Sequence, residues 1–148
     1  MGLLTILCAS WCLYMNYASR YVLTSIDDIK KVVDGVLSGV ERINPLTDEC
    51  RFNISLVIKE LLVNCFEHAT PTKKAPVIFK AEIKNGVLTI GVKDGGGGFE
   101  YEKVCANISV DKNALLKERG RGLMLVNALC QEIHYNSMGN SVEVKIAL

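Results

Sequence analysis

No run of basic residues and no imbalance of charge marks this chain. Seventeen lysines and arginines stand against 16 acidic residues, for a net charge of +1 at neutral pH. Without a basic stripe or interleaved aromatics, direct nucleic-acid binding is not expected. The cysteines number six (Cys8, Cys12, Cys50, Cys65, Cys105 and Cys130), and they form neither a C-x-x-C pair nor a His/Cys cluster at zinc spacing. Several fall on apolar helix faces, where cysteine behaves as a small hydrophobe, so a reducing, cytoplasmic setting is the simpler expectation. The phosphate loop G-x-x-x-x-G-K-S/T is missing, which argues against a P-loop nucleotidase. Internal repeats are absent, and the only low-complexity stretch is one run of glycines.

Charge is also missing from the first nineteen residues, Met1 to Ser19, which are moderately apolar through Leu3, Leu4, Ile6, Leu7, Trp11, Leu13, Tyr14 and Met15. A secretory signal would open on positive charge, and a membrane span would need about 20 strongly apolar residues without Thr5, Ser10, Asn16 and Ser19. Residues 1–19 are therefore expected to be an extension packed on the domain, or the product of an early start. A membrane anchor, with Arg20 on the cytoplasmic flank, is the alternative. The remaining residues, 20–148, suit one compact domain: 49% apolar and 22% charged content belong to a folded globule, and 148 residues allow one core.

The most informative stretch is VLTIGVKDGGGGF. Four consecutive glycines remove every Cβ from a tight path, so backbone there can lie directly against a flat or charged ligand. Asp94 stands at the end of the preceding strand with an acceptor-only carboxylate. It can accept from the exocyclic amine of adenine and would repel the carbonyl that guanine carries in its place. Alone, Asp-Gly after alternating hydrophobics is also an ordinary hairpin signature. Upstream, in FNISLVIKELLVNCFEHA, Ile54, Ile58, Leu61 and Cys65 recur at helical spacing and give a buried stripe. Glu60, Asn64 and His68 share another face, each step of four advancing about 40° around the axis and roughly 6 Å along it. Without the glycine loops this would read as a solvated face. Downstream, ERGRGLMLVNAL carries a second glycine pair that opens another helix.

The trio KELLVNCFEH, DGGGGF and ERGRGL resembles the N box and the two glycine boxes of the GHKL ATPase and kinase superfamily, in the same order, over a span from about Tyr21 to Ala147. Within it, the short length and the His68 ending of the N box are most similar to bacterial anti-sigma-factor serine kinases. The resemblance implies ATP and Mg²⁺ as cofactors. It assigns Glu60 as the general base and Asn64 as the Mg²⁺ ligand, with one amide oxygen enough for an ion that keeps several waters. Asp94 would read adenine, with Gly96, Gly98 and Phe99 completing D-x-G-x-G-F. Gly120, Gly122 and Leu123 would form the second glycine box, where a helix N-terminus suits phosphate. One of the flanking arginines, Arg119 or Arg121, would touch the γ-phosphate. His68, before Thr70 and Pro71, takes a structural or orienting part. The implied activity is phosphorylation of a serine, or else a threonine, on a small anti-anti-sigma (STAS) partner by a chain that also binds a sigma factor, commonly as a homodimer. The short segment ahead of the domain does not supply the phosphoacceptor helix pair of a sensor histidine kinase. A non-catalytic, nucleotide-switched interaction module and a detached histidine-kinase ATP domain remain as alternatives.

The remaining layout alternates helices with amphipathic strands. YVLT gives a first strand. Ser25 and Asp28 form a capping box, with Asp in place of Glu, before a helix buried through Ile26, Ile29, Val33, Val36, Val40 and Ile43 and ended by Asn44-Pro45. Thr47 or Asp48 caps the N-box helix. VIFKAEIK and VLTIGVK pair across Asn85-Gly86, with Val77, Phe79, Ala81 and Ile83 on one face. Phe99 to Arg119 is long and loosely periodic, and the resemblance makes it an ATP lid. A third helix is expected from about Leu123 to Leu129, followed by a hairpin of EIHYNS and SVEVKIA. The expected fold is a two-layer α/β sandwich of the α+β kind: a mostly antiparallel mixed sheet covered on one face by about three helices.

Overall fold

The computed structural model describes residues 16–96 and 118–148, and for 118–121 the backbone alone. Gly98, Phe99 and the expected lid through residue 117 lie outside the described residues, as do residues 1–15.

Alternation of apolar and polar residues builds the sheet. Its strands are β1 (Tyr17–Leu23), β2 (Val77–Lys84), β3 (Val87–Lys93), β4 (Glu132–Tyr135) and β5 (Ser141–Ala147), in the order β1-β2-β3-β5-β4. All four pairings among the described residues are antiparallel, so the described sheet is not mixed. In the register, Leu23, Val77, Phe79, Ala81, Ile83, Leu88, Ile90, Val92, Val142, Val144 and Ile146 point to one face, and all are buried. Lys80, Lys93 and Glu143 point to the other and are exposed. The β2–β3 hairpin turns through Asn85 (φ 52°) and Gly86 (φ 75°), the positive pair that a two-residue hairpin requires.

Helices α1 (Ile29–Glu41), α2 (Asp48–His68) and α3 (Glu118–Leu129) supply the second layer. Ser25 and Asp28 do form a capping box, around a single 3-10 turn (Ile26–Asp28) that leads into α1: Ser25 Oγ accepts from the Asp27 N–H at 3.2 Å and Asp28 Oδ2 from the Ser25 N–H at 3.3 Å. Thr47 caps α2 by accepting from the Cys50 N–H at 3.1 Å. Arg51 of α2 pairs with Glu41 of α1 at the end of the molecule away from β3's terminus. The stripe Ile54, Val57, Ile58, Leu61, Leu62 and Cys65 then seats α2 on the core.

Two elements are longer than the sequence pattern indicated. β1 begins at Tyr17, because Tyr17 and Tyr21 both turn inward opposite Ile83 and Phe79. Their rings fit against α1 only where it has no side chain: a Cβ on Gly39 would fall inside 3.0 Å of three Tyr17 ring atoms, and one on Gly35 would overlap the Tyr21 hydroxyl. Tyr21 also meets Phe79 edge to face at 6.1 Å. The third helix begins at Glu118 and not near Leu123, so Gly120 and Gly122 lie within its first turns. Glycine is a poor helix former, by about 1 kcal/mol relative to alanine, and tertiary contact with α2 overrides that preference here.

Candidate functional site

The last turns of α2 and the terminus of β3 meet at one edge of the sandwich. There Leu61, Asn64, Cys65 and His68 from α2, Val92 and Asp94 from β3, and Tyr135, Gly139, Asn140, Ser141 and Val142 from the β4–β5 hairpin line a small hollow of about 20 Å³ that opens to solvent. The four-residue spacing brings Asn64 and His68 to it, and the i, i+3 partner of Leu61 brings the asparagine beside an apolar wall.

Among the described residues, two hydrogen bonds of different origin hold Asp94. Its N–H donates to the Asn140 carbonyl at 2.9 Å, which carries the β3–β5 ladder one step beyond Lys93–Ser141. Its Oδ1 accepts from the Gly96 N–H at 2.7 Å, an Asx-type turn that fixes the first glycine loop. Burial first, then the adjacent Asp94 carboxylate, push the Cys65 thiol up to about 12.

The glycine loop is closely packed. A Cβ on Gly95 would meet the Ala75 methyl at 2.7 Å, and one on Gly96 would meet the Ala69 methyl at 3.2 Å, so the glycine loop lies directly against alanine side chains of the segment that leaves α2. On the other side, Asn140 Nδ2 donates to the Gly96 carbonyl at 3.4 Å. Asn136 braces this asparagine in turn. Its Oδ1 accepts from the N–H groups of Asn140 at 3.0 Å and Ser141 at 3.1 Å, and its Nδ2 donates to Asn140 Oδ1 at 2.6 Å.

Glu60, one turn before Asn64, is half-buried and is not part of the hollow's lining. It lies against α3: a Cβ on Gly122 would overlap Glu60 Oε2, so the carboxylate occupies the space that the glycine leaves open. Leu123 is half-buried beside it, and Arg119, Gly120 and Arg121 belong to the first turns of α3. Of the residues read from sequence, then, Asn64, His68 and Asp94 come together at one hollow, Gly96 is hydrogen-bonded to Asp94, and Glu60 meets Gly122 one helical turn away.

The sequence reading missed Cys65, Tyr135, Asn140 and Ser141 as neighbours of Asp94. The register supplies the signal for the last two, since pairing VLTIGVK with SVEVKIA places the start of the latter beside the end of the former. A larger hollow of about 520 Å³ lies around Gly91 on the open face of the sheet, among Arg20, Lys80, Glu82 and Glu143, and includes none of these residues. Among the described residues, no group of three or more His, Cys, Asp or Glu side chains could hold a metal ion by itself. No helix of the described residues is long and apolar enough to cross a membrane.

An antiparallel sheet backed by three helices, with an asparagine of the second helix facing an aspartate at a strand end under a glycine loop, defines a nucleotide-binding domain of the GHKL kind. The family model described as histidine kinase-like ATPase domain matches residues 24–146, and the chain belongs to that family. It is an ATP-binding, kinase-like ATPase domain. No curated protein gives a significant match to the chain.

Proposed function

We propose that this domain is an ATP- and Mg²⁺-dependent serine kinase of the anti-sigma-factor type, which phosphorylates a STAS-type anti-anti-sigma protein and binds a sigma factor, working as a homodimer in the cytoplasm. The observation that carries the reading is the run of Glu60, Asn64 and His68 along α2. Two of them face the hollow of Asp94, and the third lies at the glycine face of α3. The residues suit the cofactors. The hollow has apolar walls in Leu61, Val92 and Val142 and a carboxylate acceptor at its side, groups whose chemistry suits an adenine ring and its amine. The amide oxygen of Asn64 is a hard ligand, which fits an ion held mostly by water and phosphate.

ATP supplies the phosphoryl group and Mg²⁺ neutralises its charge, so the protein's task is alignment, because the transition state is loose. Glu60 orients the serine hydroxyl and takes its proton. Asp94 and Gly96 seat the base, Gly98 and Phe99 complete that loop, and Arg119 or Arg121 with Gly120, Gly122 and Leu123 faces the phosphates. His68 orients the exit of α2. The likeness of KELLVNCFEH to the serine-kinase N box is what favours serine as acceptor.

Incubation of the chain with γ-labelled ATP, Mg²⁺ and candidate STAS proteins tests this directly. An acid-stable phosphoserine on the STAS partner is expected, lost in Glu60→Ala while nucleotide affinity stays near that of the parent chain. Asp94→Asn should weaken ATP binding by about 1–3 kcal/mol. Nucleotide-dependent complex formation without transfer would turn the reading to an interaction module, and acid-labile phosphate would turn it to a detached histidine-kinase domain.

A further inference from the structure

The asparagine pair of the β4–β5 hairpin is tied more closely to the site than a turn requires. Asn140 is half-buried and lines the hollow, whereas Asn136 is exposed and does not. Asn140 meets the Asp94 loop at both ends: its carbonyl accepts from the Asp94 N–H at 2.9 Å, and its Nδ2 donates to the Gly96 carbonyl at 3.4 Å. Gly96 in turn donates its N–H to Asp94 Oδ1 at 2.7 Å, so the position of that glycine governs where the carboxylate stands. Backbone bonds from the Asn136 N–H to the Ser141 carbonyl and from the Gly139 N–H to the Asn136 carbonyl, both 3.0 Å, already close the turn.

An amide side chain has an accepting end and a donating end, and their order matters here. Asn136 Oδ1 is committed to the N–H groups of Asn140 at 3.0 Å and Ser141 at 3.1 Å, donors that only an oxygen can serve. Its Nδ2 must therefore face Asn140, where it donates to Oδ1 at 2.6 Å. That contact turns the Asn140 oxygen toward Asn136 and leaves Nδ2 for Gly96. Reversed, Asn140 would set an oxygen against the Gly96 carbonyl, two acceptors with no proton between them, and the loop would have to move off.

We propose that Asn136 is a positioning residue for nucleotide binding: from outside the hollow it fixes which way the Asn140 amide points, and Asn140 thereby holds the Gly96 carbonyl and the Asp94 carboxylate where the base meets them. The inference rests on the reading of Asp94 as the adenine acceptor. It divides one side chain between two tasks. Oδ1 of Asn136 serves the hairpin, and Nδ2 serves the site.

Asn136→Asp separates those tasks. One oxygen of the new carboxylate still accepts from both N–H groups, so the hairpin keeps its fastening, while the other faces Asn140 Oδ1 and forces that amide round. Equilibrium binding of ADP with Mg²⁺ to the full chain, to Asn136→Asp, to Asn140→Ala and to the double variant tests the proposal as a double-mutant cycle, with thermal unfolding of each recorded in parallel. Asn136→Asp is expected to lose about 5- to 10-fold in ADP affinity, the scale of one modest hydrogen bond, with its melting temperature unchanged. Asn140→Ala should lose a similar amount. The double variant should bind within about 2-fold of Asn140→Ala, because the carboxylate then has no amide to turn. A full second loss in the alanine background would mean that the added charge acts on the nucleotide directly, and that result overturns the proposal. So does a loss of affinity that tracks the melting temperature. If Asp94→Asn weakens ADP binding and Asn136→Asp does not, Asn136 alone is refuted. A parent chain that binds ADP no better than Asp94→Asn refutes the Asp94 reading and this inference with it.

Discussion

Two helices of this domain make room for a neighbour by lacking side chains, and they do so for opposite kinds of neighbour. On α1, Gly35 and Gly39 are one turn apart and admit the rings of Tyr21 and Tyr17 from the edge strand. On α3, Gly122 admits the carboxylate of Glu60. The first pair brings apolar surface together and has no acceptor or donor at stake beyond the tyrosine hydroxyls. The second brings an acidic side chain against the N-terminal half of a helix, on the side of its positive dipole end. The same residue type thus serves cohesion in one helix and the placement of a carboxylate in the other.

Substitution by alanine separates these purposes. The largest effect on function is expected from Gly122→Ala: phosphotransfer or ATP turnover should fall roughly 10- to 100-fold, because Glu60, the proposed base, is displaced from its resting place. Thermal unfolding should hardly change, since the far end of a glutamate moves easily and alanine favours helix by about 1 kcal/mol. A melt that collapses with the activity would erase the contrast. Gly39→Ala should do the reverse. It meets three atoms of a ring held between helix and strand, so overpacking of about 1–3 kcal/mol is expected in a denaturant titration, with nucleotide affinity of the folded fraction unchanged. A smaller effect appears in alkali. The Cys65 thiol has its folded value raised from 9.0 to about 12, so its contribution to stability is complete below pH 9 and is lost as pH rises towards 12. At pH 10 the loss is on the order of 1 kcal/mol, and the slope attributable to it should vanish in Cys65→Ala. An unchanged slope would place the thiol in contact with solvent.

Much of this architecture is legible in the residues because its signals are local. Alternation in VIFKAEIK and SVEVKIA, the Asn85-Gly86 turn, the Ser25/Asp28 box and the Thr47 cap each need only a few neighbouring positions, and each element stands where they place it. Tyr17 to Ser19 were hidden in a stretch read as an extension, since what recruits the two tyrosines of this strand is the pair of vacancies on α1, farther along the chain. The start of α3 was hidden for the same reason: glycines at positions 120 and 122 argue against helix until α2 is known to press on them. At the site, positions on one element were visible, as the 60, 64, 68 series shows. The hairpin wall was not, because Asn140 reaches Asp94 and Gly96 across 44 or more residues of sequence and only the strand order brings them together.

The double asparagine brace at the hairpin tip has one more implication. Asn136 and Asn140 close on each other and hook the carbonyl of Gly96, so the wall they form is already rigid in the free domain. A base entering the hollow therefore meets a surface that loses little freedom on contact, and more of the intrinsic attraction survives as affinity.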